Sequence, residues 1–373
     1  MKYNYAASCL FGLEGLVAGE LREMGAEDVA AENGRVFFSG GTEILCRANI
    51  CSRFAERIML YMGSFKASTF DELFEGVKAL PWEAFIGRDD AFPVKGWSIN
   101  SRLHSVPGCQ SIIKKAVVER LKSVYGISWF KESGAGYRIS FSVMKDMVSL
   151  YIDTSGEGLH KRGYRPKSNA APIKETLAAA MAYLTGIFDD SQVYDPFCGS
   201  GTILIESAML AAGMAPGIRR RFAAESFEQI PTSLWHDERE RARASVKRDI
   251  SFMAYGSDID KAAVSLTTAN AAAAGVGRLV KAHVADISGF TTSAPSGKVI
   301  TNPPYGERLS DKKHAEQLYR TMGGLFIKKP GWRYSIISPE ERFEAIFGRR
   351  ADKRRKLYNG MIQCQLYMYF KVK

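Results

Sequence analysis

The segment Asn302-Pro303-Pro304-Tyr305 has the residue types needed to hold a planar amino group. The amino nitrogen of a nucleobase is a poor nucleophile, because its lone pair is delocalised into the ring. The side-chain oxygen of Asn302 and the carbonyl oxygen of Pro303 can each accept one of its N–H bonds, which would align the nitrogen with an electrophile. The prolines stiffen the backbone and remove competing N–H donors, and Tyr305 can stack on an extruded base. A plain proline turn after a strand is the alternative interpretation.

A glycine-rich turn, Asp195-Pro-Phe-Cys-Gly-Ser-Gly-Thr202, predicts a site for a nucleoside-type cofactor. Its glycines permit close backbone approach, and the helix that follows begins with free N–H groups. The spacing is neither that of a P-loop nor a complete Gly-x-Gly-x-x-Gly motif. Asp258 could accept hydrogen bonds from ribose hydroxyls, and Asp286 from an adenine amino group. Each acid alone is more often a helix cap or a solvated turn residue, but their order along the chain favours a cofactor site.

Alternating strands and helices are predicted to position these residues. From about residue 174 the pattern is that of a doubly wound, mostly parallel α/β sheet. Such sheets bind ligands at the carboxyl ends of their strands, where all the residues above are expected. The predicted strands are Val193–Asp195, Met253–Asp258, His283–Asp286 and Lys298–Thr301, and the predicted helices are Glu175–Leu184, Ile203–Ala212 and Lys261–Ala274.

The chain before this sheet predicts two small α+β units and a basic connection. The second unit contains a long helix, Gly108–Tyr125, on which Lys114 and Lys115 are candidates for phosphate contacts, although a solvated lysine face is equally compatible. We call the glycine-rich segment Asp153–Arg165 the connector; a merely flexible linker is its alternative interpretation. Its candidate residues for phosphate or base contacts with a nucleic acid are His160, Lys161, Arg162 and Arg165.

Two further basic stretches, Arg219 to Arg221 and Arg349 to Lys356, could extend the same surface, with solvated segments as the alternative. The formal net charge of +11 and the pI of about 9.3 favour an anionic partner such as nucleic acid. The six cysteines form no Cys-x-x-Cys pair, and no zinc-ligand spacing is present, so no metal is expected. Cys198 lies in the cofactor turn, where a packed residue is a better interpretation than a nucleophile.

The first residues do not have the pattern of a signal peptide, and no uncharged run reaches the roughly 18 residues of a membrane helix. The sequence therefore predicts a soluble cytoplasmic protein with no membrane partner.

These motifs resemble the class I S-adenosylmethionine-dependent methyltransferases that act on amino nitrogens, most specifically at DPFCGSGT (195–202) and NPPYGERL (302–309). Four other segments resemble the THUMP-domain RNA methyltransferases: SIIKKA (111–116), DTSGEGLHKRGYR (153–165), APIKETLAA (171–179) and KLYNG (356–360). The resemblance covers nearly the whole chain, and it is closest to the bacterial 23S ribosomal RNA guanine-N2 methyltransferase group.

The resemblance implies three domains: a ferredoxin-like segment (1–60), a THUMP RNA-binding domain (61–165) and a Rossmann-like class I catalytic domain (166–373). It implies S-adenosylmethionine as the cofactor, and 23S ribosomal RNA or a ribosomal assembly intermediate as the partner. Asn302, Pro303, Pro304 and Tyr305 would take the target base. The cofactor-binding residues implied by position are Asp195, Phe197, Gly199, Gly201, Thr202, Asp258, Ile259, Asp286, Ile287 and Asn302.

The expected reaction is a direct transfer of the methyl group to the base amino nitrogen, without a metal or a covalent intermediate. The motifs do not distinguish guanine N2 from adenine N6, so an adenine-N6 methyltransferase acting on RNA or DNA is an alternative. A non-catalytic RNA-binding factor is another, although the motifs are intact. Many members of the group carry a second methyltransferase domain, and the 373 residues here hold one, so the target nucleotide is not implied.

Overall fold

A computed structural model describes residues 2–165, 173–306 and 309–372. Residues 171 and 172 of the APIKETLAA segment and residues 307 and 308 of the NPPYGERL segment lie outside the described residues. The described chain forms two seven-stranded sheets. Within these ranges no helix is long and apolar enough to cross a bilayer.

The first sheet is continuous across both predicted front units, with the strand order β2-β3-β1-β4-β7-β6-β5. Strand β4 pairs with β1 through its first half and with β7 through its second half, so the predicted boundary at residue 60 falls inside it. The division into two units stays a prediction. The strands are β1 Tyr3–Cys9, β2 Glu27–Glu32, β3 Arg35–Gly40, β4 Ala55–Lys66, β5 Val94–Ile99, β6 Ile139–Met144 and β7 Met147–Asp153, and the helices are α1 Glu14–Glu23, α2 Thr42–Cys51, α3 Phe70–Lys78 and α4 Val106–Tyr125.

Local capping explains where the long helix α4 begins and ends. The Ser105 side chain accepts a hydrogen bond from the Gly108 N–H, and Gly126 adopts a left-handed conformation after the last turn. The helix therefore begins two residues before the predicted start. Helix α2 begins at Thr42, and Gly41 occupies the cap position before it.

The second sheet has the order β10-β9-β8-β11-β12-β14-β13. Neighbouring strands pair in parallel from β10 to β12, whereas β14 pairs antiparallel with both β12 and β13, which confirms the mostly parallel fold class. The strands are β8 Gln192–Asp195, β9 Met253–Asp258, β10 Val280–Val284, β11 Gly297–Thr301, β12 Trp332–Ser338, β13 Lys353–Asn359 and β14 Ile362–Tyr369, and the helices are α5 Glu175–Thr185, α6 Thr202–Ala211, α7 Thr232–Ala244, α8 Lys261–Ala274, α9 Leu309–Leu325 and α10 Phe343–Phe347.

Several parts of this sheet differ from the prediction, which included none of β12, β13 and β14. The third strand is β10, so Asp286 lies beyond the strand end and caps a short 3-10 turn, Ile287–Gly289. The end of the basic stretch 349–356 forms part of β13, so the alternative of a solvated loop is wrong there.

The connector is held by buried hydrogen bonds to both halves of the protein. Asp153, which is 1% exposed, accepts a hydrogen bond from Arg57 Nη1 at 2.5 Å. The Thr154 hydroxyl donates to the Ile58 carbonyl at 2.7 Å in the front half. The Thr154 carbonyl accepts from the Ala224 N–H at 3.0 Å in the catalytic half. The interpretation of the connector as a merely flexible linker is therefore wrong for its described residues.

Arg162 lies inside this junction rather than on the surface. Its side chain is 2% exposed, and its two terminal nitrogens donate to the carbonyls of Leu159 and Arg53, each at 2.6 Å. Its Nε lies 3.5 Å from a carboxylate oxygen of Glu206, a fully buried residue of α6. The guanidinium is thus occupied by internal partners, which contradicts its predicted role as a phosphate contact.

Replacing Arg162 by Met should lower the free energy of unfolding by roughly 3–5 kcal/mol, because Glu206 would lose the cationic partner of a buried carboxylate. The matched control is Lys161→Met, since the Lys161 side chain is 61% exposed. That change should stay within about 0.5 kcal/mol. Chemical denaturation followed by circular dichroism measures both. Equal effects of the two substitutions would contradict the structural role of Arg162.

Candidate active site

A cleft of about 760 Å³ opens at the carboxyl ends of β8, β9 and β11, a volume typical of cofactor sites. It brings together most of the residues predicted for the cofactor and the base. Those that line it are Phe197, Asp258, Ile259, Asp286, Ile287, Asn302, Pro303, Pro304 and Tyr305. Asp195, Gly199, Gly201 and Thr202 do not line the cleft but form the turn beneath it.

The glycine-rich turn is shaped by one buried carboxyl group and two left-handed glycines. Asp195 accepts hydrogen bonds from the Thr301 hydroxyl at 2.7 Å and from the Phe197 N–H at 3.1 Å, and burial raises its pKa to about 7. Gly199 and Gly201 have φ of +51° and +81°, which favour glycine. A Cβ at Gly201 would lie 2.7 Å from the Thr267 side chain, whereas Gly199 faces open space. Asp195 therefore supports the turn from below.

Two carboxylates on the cleft wall fit a nucleoside. Asp258 accepts from the N–H groups of Gly199 and Asp260, each at 3.0 Å, and each of its oxygens keeps a second lone pair for a ribose hydroxyl. Ile259 beside it is 70% exposed and offers an apolar surface to a flat ring. Hydrogen bonds from Ser288 keep the pKa of Asp286 below its usual value, so it is an ionised acceptor at neutral pH. These residues fit the nucleoside part of S-adenosylmethionine.

Asn302 is oriented by Tyr305. The Tyr305 hydroxyl donates to the Asn302 side-chain oxygen at 2.6 Å, and the Asn359 side-chain N–H donates to that hydroxyl at 3.2 Å. Burial raises the pKa of Tyr305 well above its usual value, so the hydroxyl remains a neutral donor. The Asn302 oxygen keeps one lone pair for an incoming amino group. The stacking role of Tyr305 stays a prediction, and its hydrogen bond to Asn302 was not predicted.

Sequence reasoning missed several residues that line this cleft. Asn359, Gly360 and Ile362 come from the turn between β13 and β14, and His314 and Leu318 come from α9. The KLYNG segment was recognised as part of a resemblance, but its spacing carried no chemical role by itself. Lys174 also lines the cleft.

Cys198 is buried beneath the turn, and burial raises its pKa to about 12, as suits a packed residue rather than a nucleophile. The described residues contain no cluster of metal-ligating side chains.

The predicted RNA-binding residues have different environments. Lys114 bonds to Glu132 at 2.6 Å, His160 lies 2.9 Å from Glu56, and Arg165 pairs with Glu175 at 2.9 Å. Arg165 also donates to the Thr202 hydroxyl at 2.7 Å and so supports the cofactor turn. Lys115 and Lys161 are exposed.

The structure also unites two basic segments that are distant in sequence. A second cleft, of about 390 Å³, lies between the connector and the residues that follow α6. We call it the basic cleft. Burial and the nearby charge of Arg162 lower the pKa of Arg220 to about 10, which indicates crowded positive charge. The basic residues that line the basic cleft are Lys161, Arg162, Arg219, Arg220 and Arg221, and one acidic residue, Glu157, lines it as well.

Comparison with protein-family models assigns each part of the chain. Residues 4–59 match the RlmL ferredoxin-like domain, residues 67–153 match the THUMP domain, and residues 162–368 match the methyltransferase domain of the RMKL-like family. The chain belongs to the RMKL-like methyltransferase family. The resemblance to THUMP-domain RNA methyltransferases is thereby confirmed, and the fold prediction with it.

Two curated relatives are similar to this chain over nearly its whole length. "Putative RNA methyltransferase YpsC" of Bacillus subtilis is 44% identical over 99% of this chain and 96% of its own length. "Ribosomal RNA large subunit methyltransferase K/L" of Shewanella baltica is 34% identical over 98% of this chain. The chain spans 53% of that relative, about half its length.

Two solved structures share the fold across the whole chain. One, described as "SMU.472, a putative methyltransferase complexed with SAH", has a TM-score of 0.94 and 40% identity over 100% of this chain and 99% of its own. The other, described as "a predicted N6-adenine-specific DNA methylase from Listeria monocytogenes", has a TM-score of 0.94 and 43% identity over 100% of this chain and 97% of its own. Family and neighbours confirm S-adenosylmethionine as the cofactor.

Replacing Tyr305 by Phe should lower kcat roughly tenfold, because the Asn302 amide loses the hydrogen bond that orients it. Cofactor affinity should change little, since in the described part of the chain the Tyr305 hydroxyl bonds to Asn302, Asn359 and Cys364 and not to Asp258 or Asp286. Methyl-transfer kinetics and calorimetric titration with S-adenosylhomocysteine measure the two quantities.

The control for this substitution is Tyr358→Phe, which removes a hydroxyl bonded only to Gln363 in the described structure. It should leave kcat unchanged. If Tyr305→Phe changed only KM for the substrate, the hydroxyl would not act through the orientation of Asn302.

Proposed function

We propose that this protein methylates a base amino nitrogen in 23S ribosomal RNA, guanine N2 above all, on naked RNA or on a ribosomal assembly intermediate. The observation that carries the proposal is the oriented Asn302 oxygen, bonded to Tyr305 at 2.6 Å, in the same cleft as Asp258 and Asp286. One cleft therefore holds an amino-group acceptor beside a nucleoside site. A THUMP domain and a net charge of +11 favour RNA as the carrier of that amino group.

The chain's own residues would act by positioning. S-adenosylmethionine, when bound, supplies a methyl group on a positively charged sulfur. The Asn302 oxygen and the Pro303 carbonyl would accept the two N–H bonds of the base, which directs the nitrogen lone pair at that methyl group. Pro303 is buried, so water has little access to this side of the base. Asp258 and Asp286 would hold the ribose and the adenine of the cofactor.

The choice of guanine N2 rests on the resemblance to the 23S ribosomal RNA guanine-N2 methyltransferase group and not on the residues of the active-site cleft. Guanine N2 and adenine N6 both present two N–H bonds to the same pair of acceptors. The large-subunit methyltransferase K/L relative supports ribosomal RNA, whereas the name of the Listeria structure favours adenine N6 in DNA. The THUMP match over residues 67–153 favours RNA, so adenine N6 in DNA is the second candidate.

The basic cleft is the proposed contact for the RNA backbone. Lys161 and Arg221 have exposed side chains there. Arg219 is exposed but also donates to the Ala273 carbonyl at 2.9 Å, while Arg162 and Arg220 are occupied by internal carbonyls. Lys115 on α4 is a second exposed candidate. Phosphate contacts release condensed counterions, so binding should weaken steeply as salt rises.

The deciding experiment is methyl transfer from labelled S-adenosylmethionine to deproteinised ribosomal RNA, ribosomal particles and DNA, followed by nucleoside mass spectrometry. We expect N2-methylguanosine in 23S ribosomal RNA. Asn302→Ala should lower turnover on the order of a hundredfold while cofactor binding persists, because the amino group loses its acceptor. N6-methyladenine in DNA as the sole product would overturn the choice of RNA.

Charge reversal in the basic cleft should reduce the salt dependence of RNA binding. Lys161→Glu combined with Arg221→Glu should reduce the slope of log K against log salt by roughly 0.7–0.9 for each phosphate that the protein no longer neutralises. Fluorescence anisotropy with a 23S ribosomal RNA fragment at several salt concentrations measures the slope. Lys281→Glu with Lys329→Glu is the charge-matched control, since both lysines are exposed outside the cleft. Equal slopes in the two double variants would show that the basic cleft does not contact the RNA phosphates.

A further inference from the structure

The turn between β13 and β14 presents an apolar side chain at the rim of the active-site cleft. Asn359, Gly360 and Ile362 line the cleft, and Met361 between them is 98% exposed. Gly360 has a φ of +64°, the left-handed conformation that a tight hairpin turn requires. The turn thus places one long, flexible apolar side chain in solvent beside the proposed base site.

Contacts from two sides hold this hairpin in place. The Asn359 side chain donates to the Tyr305 hydroxyl at 3.2 Å, on the catalytic side. On the other side, Arg355 donates to the Gly12 carbonyl at 2.9 Å, and the rings of Phe11 and Tyr358 meet edge to face with centroids 5.8 Å apart. The first domain therefore braces a hairpin more than three hundred residues later in the chain.

The approach of the first domain to this hairpin is close. A Cβ at Gly12, whose φ is +91°, would lie 2.6 Å from the Lys356 carbonyl oxygen, so only glycine allows the contact. Scattered exposed apolar residues are ordinary on protein surfaces. An exposed methionine on a hairpin braced from two domains is different, because the contacts of Arg355, Tyr358 and Asn359 hold the backbone that carries it beside the cleft.

Enzymes that modify a base inside a helix must first extrude it, which costs a few kcal/mol of stacking and pairing. Proteins that unstack nucleic acids commonly insert a Phe, Leu, Ile, Met or Pro side chain between the bases. Met361 has this chemistry and lies next to Asn359, which touches the residue that orients Asn302. Lys353 and Lys356 on the same hairpin are exposed and can contact the flanking phosphates.

We propose that Met361 enters the RNA stack at the position left by the target base and keeps that base in the cleft. This inference rests on the proposed function, since it requires a base amino group as the acceptor. The side chain acts on the RNA and not on the cofactor. Its loss should therefore matter only when the target base must leave a helix.

The test compares two RNA substrates that carry the nucleotide mapped by mass spectrometry. In one the target base is paired in a helix, and in the other it faces an abasic residue and is free to leave. Met361→Ala should lower the single-turnover rate on the paired target roughly tenfold, because nothing fills the gap in the stack. On the abasic substrate the rate should change by less than about twofold.

Two controls separate insertion from folding. Met361→Leu keeps an apolar side chain of similar size and should keep the rate on the paired target. Met147→Ala removes another exposed methionine, 47% exposed in the first sheet, and should change neither rate. The inference would be overturned if Met361→Ala lost the same fraction of its rate on both substrates or lost none on either. It would also be overturned if the target base were unpaired in the natural RNA. Absence of methyl transfer by the unchanged protein to any RNA would instead refute the proposed function.

Discussion

The site depends on one buried hydrogen bond between two strand ends. The Thr301 hydroxyl at the end of β11 donates to the Asp195 carboxyl at the end of β8, at 2.7 Å, and both residues are at most 2% exposed. The residue after Thr301 is Asn302, and the residues after Asp195 form the cofactor turn. Together with the parallel pairing of β8 and β11, this contact sets the distance between the proposed amino-group acceptor and the cofactor turn. Because the strands are parallel, both motifs lie at the same edge of the sheet.

The front half of the protein is attached to this edge by polar contacts rather than by a loose linker. The connector buries Asp153, Thr154 and Arg162 between the two sheets, and Arg165 reaches the Thr202 hydroxyl in the cofactor turn. At the opposite end of the chain, the β13–β14 hairpin contacts both Gly12 and Tyr305. These contacts connect the front half, which contains the THUMP domain, directly to the candidate active site.

Much of the fold followed from local patterns. Strand β9 and helix α8 have the predicted bounds. Strand β9 is an apolar run, and α8 begins after the capping side chain of Asp260 and ends before Gly275, which adopts a left-handed conformation. The polar strand β10 was displaced in the prediction, since it lies at a sheet edge and lacks a clear apolar alternation. Strand β13 was missed because most of its residues are basic or polar and face solvent at the outer edge of the sheet, where pairing with β14 and not composition makes it a strand.

The sequence alone determined which residue types follow the strands: an amide and a proline pair after one strand, a glycine-rich turn after another, and acids after two more. The parallel topology carries all of them to one edge of the sheet. Tertiary structure decided which polar groups are free to act. Arg162 and Lys161 are neighbours with the same charge, yet one is buried against Glu206 and the other is exposed. Likewise only the folded chain shows that Asn359 holds Tyr305 and that Arg219 to Arg221 meet the connector. Such contacts join residues distant in sequence, so side-chain type and spacing carry no record of them.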